Sequence, residues 1–190
     1  GVLSIGLLIA IAFLELDSKG RVTNFALVKK AKRLISLWLT TTVIYILVQI
    51  AYLLDQPITA SFDLTVIRSY LTQTSIGKSY LIQIIGILVL LVISFKKVIS
   101  TYLALLISLI AISASIFQSH GSTSGHHGLA IGALVIHVIA LSFWVGGLFG
   151  LTQLGKEHKL IALPRFSAIA LWSAIAVALT GAATAWTRLD

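Results

Sequence analysis

Residues 119–151 read SHGSTSGHHGLAIGALVIHVIALSFWVGGLFGL. A short Gly/Ser segment carrying His120, His126 and His127 leads into a run with no Asp, Glu, Lys or Arg from Leu129 to Gly155. An uncharged apolar run of about 18 residues or more can cross a bilayer. Backbone groups in hydrocarbon must bond one another, so such a run is a helix. His137 sits inside it, Trp144 follows two helical turns later, and Gly146-Gly147 comes next.

Working outward, the same pattern recurs. Residues 129–154 make one span. Residues 34–54, 79–95, 98–117 and 166–187 make four more, and residues 2–14 read as the end of another whose start is missing. The runs are apolar on all sides, whereas strands of a membrane barrel alternate apolar and polar residues. The expectation is an all-α polytopic transmembrane bundle of about six spans, the first truncated, forming a single integral-membrane domain over residues 1–190. The chain contains no methionine and opens inside an apolar run, which reads as a piece of a longer protein.

Hydrophobic residues are 58% of the chain and charged residues 11%, which is not a soluble globular composition. The net charge is +8. No basic groove with interleaved aromatics appears, so nucleic acid is not an expected partner. The cations sit instead in connectors 17–33, 96–97 and 155–165, alternating with connectors poor in Lys and Arg. The positive-inside rule puts those three in the cytoplasm. The histidine loop, the 55–78 connector and the C-terminus then lie on the extracytoplasmic side. Trp38, Tyr52 and Trp186 are expected at headgroup level.

The 55–78 connector reads as a short interfacial helix. Asp63 is its N-cap, Leu64, Ile67 and Leu71 share a face, and Gly77 stops it. Small residues let membrane helices approach closely. Gly146 with Gly150, and Ala170, Ala174, Ala178 and Ala182, therefore read as helix seams.

There is no cysteine, so disulfides, thiolate sites and thioether-linked haem are excluded. Imidazole is the remaining strong ligand, suited to copper, zinc, nickel and iron. His120, His126 and His127 lie close in sequence, but they form no HExxH or other zinc signature. His137 falls about 12 Å below Leu129 on a helix. An ionisable residue at that depth defaults to a functional role. The alternative is a neutral histidine bonded to a neighbouring helix. On a helical projection His126, Ala130, Ala133, His137, Trp144 and Leu148 share one side. His126 and His137 are too far apart to share an ion, but they can be successive stations on one path.

The stretch HG…GHHG…LVIHVIALSFWVGGL resembles the membrane domain of the copper resistance protein D family. Thr74–Leu81, TSIGKSYL, is similar to that family's Thr-x-x-Gly-Arg/Lys segment. Residues 164–181, PRFSAIALWSAIAVALTG, are similar to its Arg-Phe-Ser…Ala-Leu…Thr-Gly helix. Together these cover roughly residues 70–187. The resemblance implies copper import across the bacterial cytoplasmic membrane, with His120, His126, His127 and His137 as candidate copper ligands and Trp144 beside the path. It also implies a periplasmic copper-binding domain or an oxidase assembly factor as a partner, beside the lipid bilayer. The oxidation state of the copper stays open, because the soft ligands Met and Cys are absent. A second reading is a membrane assembly subunit that supplies copper to a respiratory oxidase. A third, a b-type cytochrome, needs axial histidines on facing helices, and only His137 lies within a span. No nucleophile–base or carboxylate pair lies within a span, so an enzyme is not expected.

Overall fold

The computed structural model describes residues 1–14, 25–93, 98–114, 116 and 127–186. Among these the regular structure is helical throughout, with no strand. The helices are α1 (Val2–Leu14), α2 (Phe25–Leu54), α3 (Leu64–Gln73), α4 (Ser75–Val92), α5 (Val98–Ala114), α6 (His127–Leu141), α7 (Gly147–Thr152) and α8 (Lys156–Trp186). A 3₁₀ turn, Ile58–Phe62, precedes α3, and a π turn, Ser142–Gly146, joins α6 to α7. Four helical stretches are long and apolar enough to cross a membrane: Phe25–Leu54, Ser75–Val92, Ile131–Thr152 and His158–Trp186. The other two expected spans correspond to shorter apolar helices, Val2–Ala12 and Ile99–Ala114. At about 1.5 Å per residue, the latter falls short of a ~30 Å hydrocarbon core.

The core forms around α1. Its sequence, VLSIGLLIAIAFL, has no polar face, and a helix apolar all round belongs inside. Ile5, Leu7, Leu8, Ile9, Ala10, Ile11 and Ala12 are all essentially inaccessible. One side of α1 packs with Ile35 and Trp38 of α2, Ile87 and Leu90 of α4, and Ala104 and Leu105 of α5. Its other side packs with Leu27 and Ala31 of α2, Leu151 of α7, and Ala162 and Phe166 of α8. Trp38 is therefore a core residue at 7% exposure, not a headgroup anchor. Tyr52 and Trp186 are exposed.

The end of α2 is set by local chemistry. Asp55 takes φ 51°, a left-handed conformation that Asp tolerates better than most residues. Gln56 N–H then donates to the Ala51 carbonyl at 3.1 Å and Asp55 N–H to the Tyr52 carbonyl at 3.3 Å. This is the paired closure of a Schellman cap, and Pro57 follows, which cannot continue the helix.

Asp63 caps α3 as expected, its Oδ1 accepting from Thr65 N–H at 2.7 Å. Two details differ from the sequence reading. Leu64 is 80% exposed, and the inward face is Val66, Ile67, Tyr70 and Leu71 against Ile46 and Ile50 of α2. Gly77 does not stop α3. Thr74 does, and it also caps α4, its Oγ1 accepting from Gly77 N–H at 2.9 Å and donating to the Tyr70 carbonyl at 2.7 Å. Gly77 lies in the first turn of α4, where a Cβ would overlap the Tyr70 carbonyl. The Thr-x-x-Gly segment is thus a cap plus a close approach, which folds α3 back against α4.

The glycines of the π turn and α7 form the tightest seam. A Cβ on Gly6 of α1 would overlap the Gly146 carbonyl, and one on Gly150 would overlap the Gly6 carbonyl. The Gly146/Gly150 pair is therefore a helix seam, with α1 as its partner. Gly147 faces the other way, where a Cβ would stand 2.6 Å from Phe166 Cε2. So Trp-x-Gly-Gly admits a backbone on one side and the ring of the Arg-Phe-Ser segment on the other. The alanine stripe behaves differently. Ala170 and Ala174 are half-buried, but Ala178 and Ala182 are exposed. A four-residue repeat drifts by about 40° per step on a 3.6-residue helix, so the stripe rotates off the seam. Ala162, Phe166, Ser173 and Thr180 are the buried positions instead.

Two hydrogen bonds bring the basic helix ends together. Lys30 of α2 donates through Nζ to Gln153 Oε1 beyond α7, and Lys32 donates to the Leu91 carbonyl of α4 at 3.2 Å. The starts of α2 and α8 and the ends of α4 and α7 thus share one end of the bundle. The start of α6 and the end of α8 at Trp186 lie at the other. Lys96 and Lys97 fall outside the described residues.

Candidate functional site

His137 lies on α6, ten residues after His127, or about 15 Å along the axis. Its long neighbour is α8, which packs antiparallel to it. Thr180 projects from α8 at the same height, six residues or about 9 Å before Trp186. His137 Nδ1 and Thr180 Oγ1 are 3.1 Å apart. A half-buried imidazole in an apolar bundle needs such a partner, because an unpaired polar group there is costly.

Thr180 is anchored in turn. Its hydroxyl lies 2.6 Å from the Ala176 carbonyl, the residue one turn earlier, and 3.3 Å from the Val177 carbonyl. Thr184 donates to the Thr180 carbonyl at 2.7 Å. Gly181 lies beside the imidazole, a Cβ there standing 4.0 Å from His137 Cε1, an ordinary contact distance. The ring thus lies against the Thr-Gly pair that ends the Arg-Phe-Ser…Ala-Leu…Thr-Gly segment. The signal was a polar residue beside a glycine in an otherwise apolar span.

Beside this pair is a recess of about 370 Å³ lined by Leu134, His137, Gly181, Thr184 and Ala185. No hydrogen bond among the described residues takes His137 Nε2. An imidazole nitrogen beside an open recess can bind a cation or accept a proton.

The structure describes only part of the expected histidine set. His120 and His126 lie outside the described residues. His127 opens α6, and only its backbone is described. Among the described residues no three of His, Asp or Glu gather as a metal cluster, so His137 stands on its interhelical bond alone. Trp144 lies inside the π turn, 39% exposed. π turns often mark functional sites. This one also accompanies the glycine seam with α1.

A second polar contact inside the bundle has a structural character. Gln83 of α4 donates from Nε2 to Thr42 Oγ1 of α2 at 3.1 Å, and Thr42 donates to the Trp38 carbonyl at 2.9 Å. Both side chains are buried, and the pair ties α2 to α4.

The family profile described as Copper resistance protein D-like, N-terminal domain matches residues 2–130. The match includes residues 2–69, which carry little beyond spans, and the histidine loop. His137, Trp144 and Thr180 lie beyond it. Neither a curated protein nor a solved structure matches the chain.

Proposed function

We propose that this chain, which belongs to the copper resistance protein D-like family and so has a role in copper resistance or uptake, carries copper through its helix bundle. His120, His126 and His127 load the ion at one end, and His137 is the next station. In this reading the basic end of the bundle is cytoplasmic, all six apolar helices belong to the membrane part of a bacterial inner-membrane protein, and transport runs inward. The observation that carries it is His137, half-buried on α6, with Nδ1 held by Thr180 and its ring beside a recess. A lone imidazole suits a station better than a store, because conduction needs sites weak enough to release their ion.

The test is His137→Gln in sealed vesicles. Glutamine keeps length and hydrogen bonding but is a poor copper ligand. The variant should fold and load copper at the histidine loop, yet move little copper across the membrane. Near-normal flux in a folded variant would remove His137 from the mechanism.

The oxidase-supply reading shares the same loop but needs no flux through His137. Copper transfer to a partner by a protein that moves none across the vesicle would favour it.

A further inference from the structure

We infer that Thr180 holds His137 in the neutral tautomer with its proton on Nδ1, so that Nε2 is the nitrogen offered to a cation in the recess. This rests on His137 being a station for copper, and it adds a positioning residue and the identity of the ligating atom.

The argument is a count of protons. Thr180 has one hydroxyl hydrogen. Its oxygen lies 2.6 Å from the Ala176 carbonyl and 3.1 Å from His137 Nδ1. The shorter contact is with a group that can only accept, so the hydroxyl hydrogen points along it. Thr180 then turns a lone pair toward Nδ1, and Nδ1 must be the donor.

The opposite arrangement costs more. If Thr180 donated to Nδ1, the ring proton would move to Nε2, where no partner exists among the described residues. An N–H left without a partner is the costlier group to leave unmatched. With the proton on Nδ1, both hydrogens are bonded and only a lone pair, on Nε2, remains unmatched. A lone pair is what a cation requires.

The surroundings agree with a cation rather than an anion. Thr184, the other polar residue lining the recess among the described residues, donates its hydroxyl hydrogen to the Thr180 carbonyl at 2.7 Å. The recess therefore gains no donor from it. Gly181 lies beside the ring without crowding it, since even a Cβ there would stand 4.0 Å from Cε1. Partners that orient a ligating imidazole in this way fix its tautomer.

The experiment is nitrogen NMR on the purified full chain labelled with ¹⁵N-histidine. The His137 signals are identified by their loss in His137→Gln. The expected result is a proton on Nδ1 and an unprotonated Nε2. Added cuprous ion, which is diamagnetic, should perturb Nε2 and leave the Nδ1 proton in place. Thr180→Val keeps the shape but removes the hydroxyl, and it should abolish the single tautomer and weaken copper binding at His137 on the order of tenfold. Thr180→Ser should restore both.

A proton on Nε2 in the unaltered protein would overturn the inference even if Thr180→Val failed to fold. So would copper on Nδ1, or an unchanged His137 spectrum in folded Thr180→Val. Failure of the transport reading looks different: the Nδ1 tautomer would be found, yet His137→Gln would carry normal flux.

Discussion

Gly6 of α1 and Gly146 of the π turn meet backbone to backbone, with no space for a Cβ on the Gly6 side. The contact locks the central helix to the segment that continues from the histidine helix. Its disruption should therefore be felt across the whole bundle.

Gly6→Ala forces a methyl against a carbonyl that cannot rotate away. Overpacking a tight core costs about 1–3 kcal/mol and sometimes more, and a backbone neighbour puts this case at the upper end. The melting temperature in detergent should fall sharply. Gly132→Ala is the control, because nothing lies within 4 Å of its Cβ position. It should be neutral, or stabilising by up to about 1 kcal/mol through helix propensity. Equal melting of the two variants would discount the seam.

Gly147→Ala meets a ring instead of a backbone, with Phe166 Cε2 2.6 Å from the added carbon. A ring can tilt, so the loss should be smaller, about 1–2 kcal/mol. Phe166→Leu in the same chain should recover part of it. A double-mutant cycle should show coupling of about 0.5–3 kcal/mol, and strict additivity would mean that the two residues do not share the space.

Asp63→Ala removes the bond to Thr65 N–H and should cost about 1 kcal/mol. Asp63→Asn keeps an acceptor and should lose only a fraction of that. The readout is protease sensitivity between α2 and α4. Equal sensitivity of Asn and Ala would indicate that the charge matters rather than the cap.

The chain has no cysteine, so single cysteines report orientation cleanly. Leu64, 80% exposed on α3, and Lys156 at the start of α8 lie toward opposite ends of the bundle. In intact cells an impermeant thiol reagent should label Leu64→Cys and spare Lys156→Cys. The reverse pattern would reverse the proposed direction of transport.

Much of this was legible in the chain. Runs apolar on every side cannot leave backbone groups unpaired in lipid, so helix followed from composition and length alone. The Asp63 cap and the Gly146/Gly150 seam were legible because each depends on chemistry within a few residues. The face of α3 and the drift of the alanine stripe were not. They depend on which neighbour a helix meets, and periodicity alone does not name a neighbour.

The sequence by itself determined that the protein is a bundle of apolar helices, that histidine is its only strong metal-ligating side chain within a span, and that His137 stands there at a cost. Only the tertiary structure decided what offsets that cost. His137 and Thr180 are 43 residues apart in the chain, and no local rule joins them. The packing of α6 against α8 does, because burying an imidazole requires a partner at the same depth. The same packing sets Gly147 against Phe166 and buries the short helix α1 among its neighbours, since a helix without a polar face is stable only when others surround it.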